Sequence, residues 1–317
     1  MSAYLTFLRG VAPFRSEYSK GYPDQSGRTW LVTGVTVGGI GFESSRLLLK
    51  AGATKLWIVG RNPEKLDQAI EALQKEFTNA NVAKLVVDFD DLTSVKPGLE
   101  PLLSSTTELH GVIHNAGIML TPTDQVTKQG FDKQIGVNTV APFLIQRFLD
   151  DLLISGAKNS PPNTVRVVWV SSDGQLFAPC NIDFSELKTD SNSSFKRYCH
   201  SKALNVMQAI LWDRKHEDSG VLSVSVHPGV TSSDISRQFP AFTRGLVKNL
   251  AKPPLYGAYS EMYAALSPDL TLDNHRGAYI FPFGAVGSAR SDLVNYSKGA
   301  DGDKVWERFT EVTDPYM

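Results

Sequence analysis

Between Thr29 and Lys50 the chain passes from a short apolar run, TWLVT, through the glycine-bearing turn GVTVGG into IGFESSRLLLK, whose apolar residues recur at helical spacing. A strand that feeds directly into a helix cannot pair with its successor through a hairpin, so the next strand must return parallel to it. The unit then recurs. KLWIVG is followed by Asn62 and Pro63, a helix cap and a first-turn proline, ahead of EKLDQAIEALQKEF. VAKLVVD, HGVIHNAG, VRVVWVSS and LSVSVHPG read as further buried strands. Between them lie helical segments around 91–103 and 130–154 and the long amphipathic FKRYCHSKALNVMQAILWDRKHE. The alternation predicts an α/β fold, a single Rossmann-type domain with a doubly wound parallel sheet that takes ligands at the carboxyl ends of its strands. Its expected extent is 28–283, with an N-terminal extension at 1–27, a C-terminal extension at 284–317 and an appendage at 231–254.

Composition narrows the partners. A chain of 317 residues with 42% hydrophobic content can bury a sizeable core, and a formal charge of −1 without a long basic run speaks against nucleic-acid binding. Cys180 and Cys199 have neither metal-ligand spacing nor the numbers for a disulfide framework, which fits a reducing compartment. The opening MSAYLTFLRGVAPF is interrupted by Arg9 and lacks a signal-peptide core, and no apolar run reaches 18 residues. The expectation is a cytoplasmic protein without stable membrane insertion, in which the sequons at Asn192 and Asn295 carry no meaning.

TGVTVGGIG, residues 33–41, stands where glycines let backbone approach a pyrophosphate and a helix N-terminus attracts its charge. By itself such a loop is also compatible with a tight connection. Its neighbours make the difference: in order along the chain come VVDFDDLTSV, HNAG at 114–117, IGVN, VSS, YCHSK and HPGVTSSD. Over roughly residues 27–283 this series resembles the short-chain dehydrogenases/reductases. TGVTVGGIG resembles the family's TGxxxGIG loop with one residue inserted, a GGIG variant, and YCHSK holds the chain's single YxxxK pair, Tyr198 and Lys202. The wide spacing between Ser172 and Tyr198 resembles the retinol-dehydrogenase-like branch.

The resemblance implies a site. Thr33, Gly34, Gly39, Ile40 and Gly41 would hold the cofactor's phosphates. Asp88 and Phe89 would flank its adenine, and Asn115, Ala116 and Gly117 would form the adjoining turn. Pro228, Gly229, Thr231 and Ser233 would cover the nicotinamide. Aligned from its carboxyl end, the loop uses Gly34 for the tight turn, Gly39 for close approach and Gly41 for helix–strand packing, leaving Gly38 in an outward bulge. The other register gives Gly38 the close approach.

Carbonyl reduction needs a hydride at carbon and a proton at oxygen. Tyr198 is the expected proton donor, and Lys202, four residues on along the same helical face, would lower its pKa and reach the ribose hydroxyls. Ser172 would hydrogen-bond the substrate oxygen, with Ser171 as the other candidate. The resemblance implies that Asn138 kinks its helix and holds a water relaying protons to Lys202; the plainer reading is that it caps or bends a helix. Asp88 has a second reading as a turn cap, and His114 and His227 read as structural histidines.

At the tip of the second strand, where NAD-preferring sites carry a carboxylate, the chain has Gly60 and then Arg61, which favours NADP(H). Phe242, Leu246 and Leu250 share a helical face within 231–254, as an apolar lid, a docking helix or a subunit contact would require. Leu176 and Phe177 could extend an apolar wall. The leading expectation is an NADP(H)-dependent oxidoreductase acting on the carbonyl or alcohol of a mostly apolar small metabolite, in specialised (secondary) or detoxifying metabolism. The rival is a protein of the same fold that binds the cofactor as a sensor or interaction partner, or for non-redox chemistry. The family's habit of dimers and tetramers suggests a homo-oligomer.

Overall fold

A computed structural model of the chain describes residues 21–179, 183–187, 192–232 and 251–317. Eight strands form one sheet in the order β3-β2-β1-β4-β5-β6-β7-β8. They are β1 (Thr29–Thr33), β2 (Lys55–Gly60), β3 (Val82–Val86), β4 (Gly111–His114), β5 (Arg166–Val170), β6 (Leu222–Val226), β7 (Tyr279–Phe281) and β8 (Ala285–Gly287). Neighbours pair in parallel except β7 and β8, which are antiparallel. The winding direction reverses between β1 and β4, which opens a crevice at the carboxyl ends of those two strands. The fold is therefore the doubly wound α/β sheet that the sequence predicts.

The main helices are α1 (Ile40–Lys50), α2 (Pro63–Glu76), α3 (Val95–Leu103), α4 (Ala141–Lys158), α5 (Ser194–Lys215), α6 (Pro254–Leu266), α7 (Ser291–Lys298) and α8 (Ala300–Thr313). Period-2 alternation on the central strands divides the core in two. Trp30, Val32, Leu56 and Ile58 meet Leu48 of α1, Leu66 of α2 and Met262 of α6 on one face. Leu31, Trp57 and Val59 belong to the other face with Leu99, Leu144 and Leu204 of α3, α4 and α5. Local signals agree with this arrangement. Asn62 caps α2 by accepting a hydrogen bond from the Lys65 amide at 2.8 Å, and Pro63 fills the first helical position.

The carboxyl-terminal stretch differs from the sequence reading. Residues 284–317 are not an appendage: β8 extends the sheet, and Leu293, Val305 and Phe309 are fully buried. The Phe309 ring stacks on Phe143 of α4 at 4.9 Å. β7 was hidden as well, because three residues carry little periodicity. The proposed lid falls mostly outside the described residues, including Ser233, Phe242, Leu246 and Leu250. At its base, Lys252 bonds to Val230 and Ser232 through the backbone beside the Thr231–Lys252 bridge. Among the described residues no helix is long and apolar enough to cross a membrane.

Candidate active site

The crevice at the strand ends is a cleft of about 410 Å³. Gly34, Gly39, Ile40, Arg61, Asp88, Phe89, Asn115, Ala116 and Gly117 line it, as the resemblance implies, together with Thr36, Lys65, Asp90, Lys133 and Val137, which it did not supply. The β1–α1 turn shapes one wall. Gly34 has φ +72, and a Cβ there would stand 2.7 Å from the Ala116 Cα. Gly41 leaves room for the Asn115 amide, which a Cβ would meet at 2.5 Å. That amide donates to the Thr33 carbonyl at 2.8 Å, and the Ala116 amide donates to Thr33 Oγ1 at 2.9 Å. The glycine turn and the HNAG turn are thus sewn together, with Thr33 buried beneath the cleft rather than on it.

The inserted residue leaves Gly39 as the N-cap of α1 on the cleft wall, while Gly38 faces open space with φ +80. No side chain caps α1, so its first amides remain donors for an anion. Asp88 lines the cleft, and its Oδ1 accepts the Asp90 amide at 3.1 Å, the turn-cap contact read from sequence. Lys133 and Asp90 pair at 2.6 Å at the rim.

Behind Gly117 lies the second group of residues. A Cβ at that position would be 3.3 Å from Lys202 Nζ and 3.4 Å from Asn138 Oδ1, so the inner end of the cleft abuts both. Asn138 is in the middle of a π-helical turn, Gly136–Val140, that leads into α4. Its Oδ1 accepts the Ile118 amide at 2.8 Å, and its Nδ2 donates to the Ile118 carbonyl and to Ser201 Oγ at 2.9 Å each. The carboxamide holds the chain after HNAG against α5, where an ordinary α-turn would aim it elsewhere.

The two serines of VSS have different tasks. Ser171 is buried and donates to the Lys202 carbonyl at 2.7 Å, which fixes α5 to the end of β5. Ser172 is half-buried, accepts the Gly174 amide at 3.1 Å and shares a hydrogen bond with Tyr198. Lys202, 2% exposed, donates from Nζ to the Val170 carbonyl at 2.9 Å. Its ammonium lies 5.8 Å from the centre of the Tyr198 ring.

Electrostatics here depart from the sequence expectation. Burial pushes the Tyr198 phenol up to about 12, partly offset by the Ser172 hydrogen bond, so lowering by Lys202 does not prevail. The reason is geometric: the ammonium is directed at the Val170 carbonyl rather than the phenol. Burial also pushes Lys202 down to about 8, against the raising influence of Glu261. Glu261 is a residue that sequence reasoning missed. It is fully buried on α6, and burial pushes it up to about 8.

Pro228 and Gly229 follow β6 in the expected loop, where Gly229 has φ +84, and Thr231 is nearly buried. Ser233 lies outside the described residues. His227 Nε2 stands 2.9 Å from Asp173 Oδ2, out of hydrogen-bonding alignment. His114 bonds Gln146 at 2.9 Å and stacks on Trp169 at 4.5 Å, a structural setting in which burial holds it at about 4. Phe177, exposed, has its ring 6.2 Å from that of Phe195, one helical turn before Tyr198.

Comparison with known proteins agrees with this geometry. The short chain dehydrogenase family model matches residues 28–177. The short-chain dehydrogenase/reductase pkfC of Emericella nidulans is 34% identical over 300 residues, 93% of this chain and 95% of its own. The short-chain dehydrogenase/reductase sthC of Phaeosphaeria nodorum is 37% identical over 263 residues, covering 79% and 82%. Among solved structures, the NADPH-bound carbonyl reductase from chicken fatty liver shares the fold with a TM-score of 0.60 at 19% identity, covering 81% of this chain and 96% of that one. With fold, motif order and relatives in accord, the chain belongs to the short-chain dehydrogenase/reductase family of oxidoreductases.

Proposed function

We propose that the protein is an NADP(H)-dependent oxidoreductase acting on the carbonyl or alcohol of a mostly apolar small metabolite, in specialised metabolism. The observation that carries the cofactor choice is the tip of β2. Arg61 and Lys65 line the cleft there, and the β2 tip itself, Gly60, offers no carboxylate. An arginine fork binds a 2′-phosphate with charge-assisted bonds, whereas a carboxylate at this point would repel it. The likeness to solved structures does not choose, since a 3-ketoacyl-(acyl-carrier-protein) reductase from Brucella melitensis with a TM-score of 0.60 was solved with NADH.

The cleft suits a dinucleotide in chemistry. The uncapped start of α1 would hold the pyrophosphate, Asp88 and Phe89 the adenine side, and Lys202 the nicotinamide ribose. When bound, the nicotinamide supplies or accepts the hydride. Tyr198 keeps its proton through neutral pH and can donate it to a carbonyl oxygen that Ser172 orients. The Lys202 ammonium offsets the negative charge left on the phenolate. In reduction, turnover is expected to fall as pH rises, because burial pushes Lys202 down to about 8. Leu176 and Phe177 after Ser172, with Phe195 before Tyr198, support an apolar substrate. Within the family, the Ser172–Tyr198 spacing supports the retinol-dehydrogenase-like branch.

Titration with the two reduced cofactors tests this reading. NADPH is expected to bind far more tightly than NADH, and Arg61→Ala to narrow the gap by about 1.5–3 kcal/mol, typical of a hydrogen bond to a charged group. Equal dissociation constants in the wild type would refute it.

A further inference from the structure

The turn that follows Ser172 is a 3₁₀ helix, Asp173–Phe177, too short to satisfy its own last carbonyls. One side chain from the far end of the chain meets them. Arg290 stands between β8 and α7, and its Nη1 donates to the Gln175 carbonyl at 3.3 Å and to the Ala178 carbonyl at 2.6 Å. Its Nη2 donates to the Pro179 carbonyl at 3.2 Å. Nε donates to Asp292 Oδ1 at 2.6 Å, which fixes the plane of the guanidinium. The Arg290 amide also donates to Oε1 of the buried Gln175 at 3.2 Å. A planar guanidinium can fan out to several carbonyls at once, which a lysine ammonium on its flexible stem does not. α7 supplies a second anchor further along the same connection: Tyr296 donates to Asp183 Oδ1 at 3.2 Å, and its ring meets Phe184 edge-on at 5.4 Å. The wide stretch between Ser172 and Tyr198 is thus tied to the carboxyl-terminal segment on both counts.

Phe177 belongs to the piece of chain that Arg290 ties down. It is 54% exposed, and its ring lies 6.2 Å from that of Phe195, one helical turn before Tyr198. A ring so exposed has little packing of its own to hold it, so its place follows from the backbone that carries it. We propose that Arg290 is a positioning residue for the substrate: by holding the carbonyls of Gln175, Ala178 and Pro179 it fixes where Phe177 stands beside the Ser172–Tyr198 pair, and so sets how tightly a long apolar carbonyl compound is gripped. This deepens the proposed function and rests on its reading of Phe177 as part of an apolar wall. Neither Arg290 nor the turn it holds lines the cofactor cleft, so the latch acts on the substrate side and leaves the dinucleotide alone. Ser172 keeps its own contact with the Gly174 amide, which separates the grip on the apolar body from the chemistry at the carbonyl.

Two measurements on the full chain test the inference. The first needs no turnover: in amide hydrogen exchange, Arg290→Lys is expected to speed exchange several-fold in 172–179 while leaving α2 at its wild-type rate. Unchanged exchange in 172–179 overturns the latch. Arg290→Gln serves if the lysine variant does not fold. The second measurement is NADPH-dependent reduction of decanal and of propanal, the latter too short to reach the wall. Arg290→Lys is expected to lower kcat/KM for decanal about tenfold, the scale of a lost apolar contact, through KM rather than kcat, with a smaller loss for propanal and NADPH affinity unchanged. Equal losses for the two aldehydes mark general damage and overturn the proposal. Phe177→Ala should mimic the decanal loss, and the double variant should fall no further than the worse single variant. Additive losses overturn the route through Phe177. A wild type that binds NADPH yet leaves decanal untouched overturns the apolar-substrate reading and the substrate role built on it, while exchange still decides whether Arg290 holds the turn.

Discussion

Gly38 and Gly39 differ by one position and meet opposite constraints. Gly39 has ordinary negative φ, −97, and stands on the cleft wall, so a methyl group there crowds the ligand and the Thr36 carbonyl at 3.1 Å. Gly38 has open space around it but a φ of +80, so alanine there strains the backbone without entering the cleft, at about 1–2 kcal/mol. Gly39→Ala is accordingly expected to weaken NADPH binding the more, and Gly38→Ala to lower the unfolding midpoint. Isothermal titration together with melting curves of both variants decides it, and the reverse ranking of affinities between equally folded variants would contradict the register. The sequence carried the glycine spacing but not φ, which is why the bulge was legible and its strain was not. Glu261 was hidden for another reason. In YSEMYAAL a glutamate reads as a solvated charge, and its burial depends on Ser44, 217 residues away.

Six strands and their helices could be read because each repeats one pattern, an apolar run, a turn and an amphipathic stretch. The π-turn at Gly136–Val140 was foreshadowed only as a bend at Asn138; that its carboxamide would bridge Ile118 and Ser201 follows from tertiary contact. The last helices show the limit most clearly. α8 is amphipathic, with Val305 and Phe309 one turn apart, yet nothing in its sequence names α4 as the surface it covers. Phe309 is fully buried against Phe143, so Phe309→Ala is expected to destabilise the whole domain by about 3–5 kcal/mol in denaturant unfolding. A loss under 1 kcal/mol would return 284–317 to the status of an appendage.

At the scale of the molecule, the doubly wound sheet brings distant sequence regions to one place. The turn after β1, the tip of β2 and the loops after β3 and β4 form the cleft; the end of β5 and the start of α5 supply Ser172, Tyr198 and Lys202 behind Gly117. On the proposed reading, Tyr198 is the residue that donates the proton to substrate. The most direct measurement is therefore NADPH oxidation by the wild type and by Tyr198→Phe across a panel of apolar aldehydes and ketones, with NADPH affinity measured on the same preparations. The account predicts wild-type turnover, a fall of about 10²–10⁴-fold in kcat for Tyr198→Phe, and NADPH binding changed little, since the ring still packs against Gly174. A variant that keeps most of the wild-type kcat would contradict it.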